Sequence, residues 1–197
     1  MSSINIIAYT TVLIQLVGVS FYIRDMFRGT TKPNRVSWII WALGPIIGAW
    51  LQWQVGAGLS VLPVFMAGFN PILVVIASFI IKEGYWKITK LDVVCGIIAF
   101  LSLVLWVVTR SFSISILFAI VSDLLAGIPT IIKSWKFPET ETSSAYIGGL
   151  TANILGLFII KEWIFPIYSF GAYLILLNVV LIFCIYRKKI FRIKVIA

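Results

Sequence analysis

Residues 36–81 read VSWIIWALGPIIGAWLQWQVGAGLSVLPVFMAGFNPILVVIASFII, forty-six consecutive residues without a formal charge. About 20 apolar residues cross a bilayer as a helix. The stretch is therefore long enough for two crossings, with Gln52-Trp53-Gln54-Val55-Gly56-Ala57-Gly58 as the polar, glycine-bearing link between them. A second charge-free stretch covers residues 163–186. The whole chain of 197 residues is 61% hydrophobic and 12% charged, against about 45–50% and about 25% in soluble domains. Those proportions exclude soluble globular, disordered, collagenous and disulfide-scaffold classes. The chain reads as an all-α polytopic membrane protein.

Apolar runs of spanning length fall at roughly 4–24, 36–55, 60–81, 91–109, 112–132, 143–163 and 166–186, which predicts seven transmembrane helices. Met1-Ser2-Ser3 carries no basic lead and no small-residue cleavage site follows, so the first span is expected to be retained. Fourteen of the sixteen Lys and Arg residues lie in the loops between spans one and two, three and four, five and six, and in the tail. Only Arg110 and Lys161 fall on the other side. The positive-inside rule then places the N-terminus outside and the C-terminus in the cytoplasm of a multi-pass protein of the cell (plasma or inner) membrane. Trp38, Trp53, Trp86, Trp135 and Trp163 stand near span ends, where indole rings anchor at the headgroups.

The charge of +9 is thus a topology signal, and no nucleic-acid partner is expected. The tail from Arg187 to Lys194 suits the anionic cytoplasmic leaflet of the lipid bilayer. Histidine is absent, which removes His-based metal sites and Ser-His or Cys-His nucleophile pairs. Cys95 and Cys184 both lie inside apolar runs. One deep carboxylate is too few for an aspartyl pair. No enzyme activity, metal or cofactor is expected.

A shift of 108 positions lays span one on five, two on six and three on seven without a gap. Identity at that shift is no better than chance, yet the punctuation coincides. Phe27-Arg28 meets Trp135-Lys136, Trp38 meets Tyr146, Gly48 meets Gly156 and Asn70 meets Asn178. Span four inverts the chain, so the units are parallel repeats, a plan known among transporters. The predicted organisation is 3+1+3: a first three-helix repeat over 1–82, a linker helix over 83–110, and a second repeat with a basic tail over 111–197.

Polar groups in hydrocarbon are costly, about 2.5–3.5 kcal/mol for a central Asp, and mark either helix–helix contacts or a solute pathway. Gln15, Pro45, Asn70, Asp123, Asn153 and Asn178 all fall at span centres, as three repeat pairs. Carboxamides both donate and accept, which suits a neutral hydroxylated or amide-bearing solute. Trp50 is an aromatic candidate for stacking on it. Asp123, the only deep carboxylate, is the candidate for proton coupling. Pro45, Pro71 and Pro129 remove helical hydrogen bonds within spans and are candidate hinges.

Gly127-Ile128-Pro129-Thr130-Ile131-Ile132-Lys133-Ser134-Trp135-Lys136, followed by Glu139-Thr140-Glu141-Thr142-Ser143-Ser144, resembles a PQ-loop segment. Thr130 stands in place of the glutamine, and Phe21-Tyr22 occupies the Pro-Gln position of the first unit. With the seven-span layout, the chain resembles a divergent bacterial-type member of the SWEET/PQ-loop transporters. The resemblance implies a paired Asn on the third helix of each repeat binding substrate, matched by Asn70 and Asn178. It also implies a carrier or facilitator that moves a small-molecule solute, sugar-like at first guess, by alternating access through a midplane site. A nucleoside or vitamin carrier, to whose Trp-rich helix Trp38-Ile39-Ile40-Trp41 is similar, stays open. So does a non-transporting membrane receptor or assembly protein.

Overall fold

A computed structural model describes residues 2–81, 86–108 and 111–193. Lys82, Arg110 and Lys194, the repeat boundaries drawn at 82 and 110, and the side chains of Ser102, Trp106 and Arg192 lie outside the described residues. The described chain is all helical: α1 (Ser3–Phe27), α2 (Arg35–Gln54), α3 (Leu62–Ile80), α4 (Lys90–Val108), α5 (Phe112–Lys136), α6 (Ser144–Phe158) and α7 (Phe165–Ile193). Short 3-10 turns at Gly58–Val61 and Pro138–Thr140 lead into α3 and follow α5. Five helices (α1, α2, α3 with its preceding turn, α5 and α7) are long and apolar enough to cross a membrane.

The helix starts are chemically marked. The Asn34 side chain accepts from the amides of Val36 (3.1 Å) and Ser37 (3.3 Å) and so caps α2. Pro63 opens α3, where a missing N–H costs nothing. Two lengths depart from expectation. Helix α6 ends at Phe158 because the amides of Ile159 and Ile160 turn back onto the carbonyls of Gly156 and Leu157. It keeps 15 residues, a rise of about 22 Å. Helix α7 runs on through Arg187, Lys188 and Lys189, well past the expected end at 186.

Helix α3 packs on both α1 and α2, and α7 packs on both α5 and α6. Across the middle α1 lies against α6 and α2 against α5, while α4 rests on α5 and touches α2. Ile6, Tyr9, Leu13, Val17 and Phe21 form an exposed apolar stripe at helical spacing along α1. Ile76, Phe79 and Ile80 on α3 and Leu176, Val180 and Phe183 on α7 are exposed too. Polar residues such as Gln15, Asn70, Asp123 and Asn153 are buried instead. An apolar exterior around a polar interior is compatible with a multi-pass membrane protein.

Small residues let the central helices approach closely. A methyl group on Gly18 would stand 2.7 Å from the Ser144 carbonyl oxygen and 3.3 Å from Gly148 Cα. Backbone cannot swing aside as the end of a side chain can. Gly18→Ala should therefore lower stability by about 1–3 kcal/mol, read as a lower melting temperature in detergent. An unchanged melting temperature would contradict so close an α1–α6 approach.

Candidate functional site

Two apolar clusters occupy the two ends of the bundle. One gathers Tyr22, Met26, Trp38, Trp41, Tyr146 and Leu181 toward the basic loops. The other gathers Leu51, Val64, Ile116, Ala119, Phe170 and Leu174 toward the opposite end. A cavity of about 70 Å³ lies at mid-depth, walled by residues of α1, α2, α3, α5, α6 and α7. A water occupies about 10–15 Å³ on this measure, so the cavity has room for roughly five.

Gln15, Asn70, Asp123 and Asn178 all line this cavity, with Pro45 and Pro71. Each amide group is tied to backbone. Gln15 Nε2 donates to the Pro63 carbonyl (2.9 Å), Asn70 Nδ2 to the Gln15 carbonyl (3.3 Å) and Asn178 Nδ2 to the Leu174 carbonyl of its own helix (2.7 Å). The Tyr173 hydroxyl donates to Asp123 Oδ2 at 2.8 Å. Asp123 Oδ1 and Asn70 Oδ1 are buried without a hydrogen-bond partner. Pro45 and Pro71 deny the carbonyls of Trp41 and Ala67, both lining residues, their usual helical donor.

The remaining sequence candidates fall elsewhere. Asn153 is buried but lines a smaller neighbouring cavity with Pro63 and Gly171, and its Nδ2 donates to the Gly149 carbonyl at 2.8 Å. Trp50 is 52% exposed and off the central cavity, because it stands about 150° around α2 from the row of Trp38, Trp41 and Pro45. Pro129 is buried in α5, away from the cavity lining. Thr130, next to it, donates to Ser37 Oγ (2.8 Å), which donates to the Ala126 carbonyl (2.6 Å).

In the aromatic wall, Trp38 and Tyr146 are the members that sequence reading missed, while Trp41 was a candidate for stacking on the solute. Trp38, expected at the headgroups, is 4% exposed and lines the cavity with Trp41 and Tyr146. Trp38 and Trp41 meet edge to face at 5.4 Å, Trp41 and Tyr146 at 6.5 Å. Trp41 Nε1 donates to the Asp123 carbonyl (3.0 Å), joining α2 to α5 beside the carboxylate. The spacing 38, 41, 45 puts both indoles on the face of Pro45, a signal that was present in the chain.

The basic end of the cavity carries a second unforeseen group. Glu141, in the α5–α6 link, forms a fully buried ion pair with Lys133. Its Oε1 also accepts the hydroxyls of Tyr22 and Tyr146. Lys133 Nζ donates in addition to the Lys32 carbonyl and lies 5.6 Å from the Trp86 ring centre. One carboxylate thus ties α1, α5 and α6 together, and its lysine reaches the α1–α2 loop. Lys133 follows Ala126, Pro129 and Thr130 on the buried face of α5, so its burial was readable from the period.

Among the described residues no three His, Cys, Asp or Glu side chains gather as a metal-ligand set. The two cysteines are free and buried. Comparison of the chain with protein families, with characterised proteins and with solved structures finds no match.

Proposed function

We propose that this chain is a carrier of SWEET/PQ-loop type that moves a small polar solute by alternating access. The observation that carries the reading is the mid-depth cavity, walled by Asn70 and Asn178 from opposite halves with Asp123 beside them. Contacts 108 positions apart support two equivalent three-helix units joined by α4. A ring of α7, Phe170, closes on Gly48 and, one residue off the 108 register, a ring of α3, Pro63, closes on Gly156. The Arg35 guanidinium meets Ser78 on α3, and the Ser143 hydroxyl meets Tyr186 on α7 at 2.8 Å.

In this reading the Glu141–Lys133 group is the cytoplasmic latch. Breaking it frees the Tyr22, Trp38 and Tyr146 side chains to part and opens the cavity inward. At the other end Gln52 Nε2 holds the Ile167 carbonyl (2.9 Å) and gives way when the cavity opens outward. Pro45 and Pro71 supply the bending points. The cavity lining leans to a solute smaller than a disaccharide, with the resemblance making a sugar-like one the first to test. Non-transporting receptor or assembly roles would leave the paired asparagines and the lone carboxylate unexplained.

Asp123 is the coupling residue: Tyr173 is its hydrogen-bond partner and Tyr146 the other titratable side chain on the cavity wall. Uptake of a labelled solute panel into proteoliposomes tests the reading. The wild type should move a solute at a rate that changes with pH, and Asp123→Asn should flatten that profile. A panel that is moved by neither protein overturns the carrier, and an unaltered pH profile in Asp123→Asn overturns the coupling.

A further inference from the structure

We infer that the solute is a small organic cation, an ammonium group held between the Asp123 carboxylate and the aromatic wall. The inference rests on the carrier reading and narrows its solute class.

The first support is the balance of donors and acceptors. Gln15, Asn70 and Asn178 each commit an amide N–H to a backbone carbonyl. The buried, unpartnered side-chain acceptors among the lining residues are Asn70 Oδ1 and Asp123 Oδ1. The Trp41 and Ala67 carbonyls lose their usual helical donors to Pro45 and Pro71. Trp38 Nε1 is the buried unpartnered donor on this wall. Trp38 Nε1 and the second N–H of each amide can still donate, but a phosphate or carboxylate would stand beside Asp123 with no Lys or Arg in the lining to balance it. An ammonium brings up to three donors.

Charge points the same way. Asp123 is the only formally charged residue among those that line the cavity. Lys133, the buried cation nearest along α5, is already held by Glu141 and the Lys32 carbonyl. A carboxylate in hydrocarbon without a counter-charge is costly, and a cationic ligand supplies that charge.

The third support is shape. Trp38, Trp41 and Tyr146 line the cavity, with Trp41 at 80° to both of the others. Trp38 and Tyr146 are tilted by 31° from each other, and aromatic faces attract cations through the ring quadrupoles. The volume of about 70 Å³ sets the size at a few heavy atoms. Ammonium and proton compete for one carboxylate, so an ammonium is held by Asp123 in its ionised form.

Radiolabelled ethanolamine and radiolabelled glycerol, similar in size and different in charge, are the probes. Purified wild type should be stabilised against heat by ethanolamine and should accumulate it in proteoliposomes, with neither effect from glycerol. Asp123→Asn should weaken ethanolamine binding at least tenfold, while Trp50→Leu, on the outward face of α2, should retain it. Should Asp123→Asn fail to fold, Trp38→Leu provides the second test, with binding expected to fall about fivefold. No ethanolamine binding by the wild type, or binding left intact in both Asp123→Asn and Trp38→Leu, overturns the inference. Glycerol or glucose uptake that ethanolamine does not inhibit overturns the cation class and leaves the carrier standing. Asp123-dependent ethanolamine binding without uptake of any solute keeps the cation site and overturns the carrier.

Discussion

Glu141→Gln should lower stability by about 3–5 kcal/mol, the range for a buried ion pair that loses one partner. Glu141 is fully buried and the Lys133 side chain is 1% exposed, so solvent does little to screen the orphaned ammonium. Glutamine keeps an oxygen for one of the two tyrosines and loses the charge. Most of the penalty is the stranded lysine, which makes a sharp control available. Lys133→Met combined with Glu141→Gln should be considerably more stable than Glu141→Gln alone, since no unpaired charge stays inside. Thermal unfolding of the two single variants and the double variant, in one detergent, gives the coupling energy directly. Additive effects would show that the pair is not a unit and would remove the latch from the account.

Asn70→Ala and Asn178→Ala should each lower solute uptake about tenfold or more, equivalent to about 1.4 kcal/mol of lost interaction. Their stabilities should differ. Asn70 links α3 to α1 through the Gln15 carbonyl, so its loss removes an inter-helix bond worth about 1 kcal/mol. Asn178 bonds within its own helix, and its amide sits 3.1 Å from where a methyl on Gly149 would lie. Truncation there frees space and breaks no tie between helices. Reduced uptake by both with reduced melting temperature in Asn70→Ala alone is the expected pattern. Wild-type uptake by both variants would show that the asparagines only glue helices.

Depth was legible in the chain and azimuth largely was not. A position's distance along an apolar run gives its depth, and Gln15, Asn70, Asp123 and Asn178 do meet at one cavity. The face a residue presents is harder to read in helices that are apolar nearly all round, since the contrast that marks an inner face is faint. Trp50 shows the cost, being at a plausible depth on an outward face. Asn153 meets a neighbouring cavity instead, near Gly156 and the Pro63 ring. Trp38 was misread in the other direction, because its place near a span end suggested the headgroups. The burial of Lys133 was readable from the period of α5, but its pairing with Glu141 was obscured by their setting. Each belongs to a polar, basic segment that topology alone explains, and their meeting depends on the link after α5 folding back over the bundle. The seven helices were foreseen within a few residues at most ends, as charged and glycine-bearing links bound them. The end of α6 was missed because Ile159-Ile160 continues the apolar run while the backbone has already turned.

The central claim, a cavity between two halves that opens to either side in turn, is tested most directly by cysteine accessibility. Ala67 lines the cavity without a polar role, and the native thiols can be removed as Cys95→Ser and Cys184→Ser. Ala67→Cys in that background should react with a membrane-impermeant thiol reagent supplied from either face of oriented vesicles, with Glu141→Gln raising the reactivity from the cytoplasmic face. Labelling from neither face, or labelling from one face alone that Glu141→Gln leaves unchanged, would contradict the account.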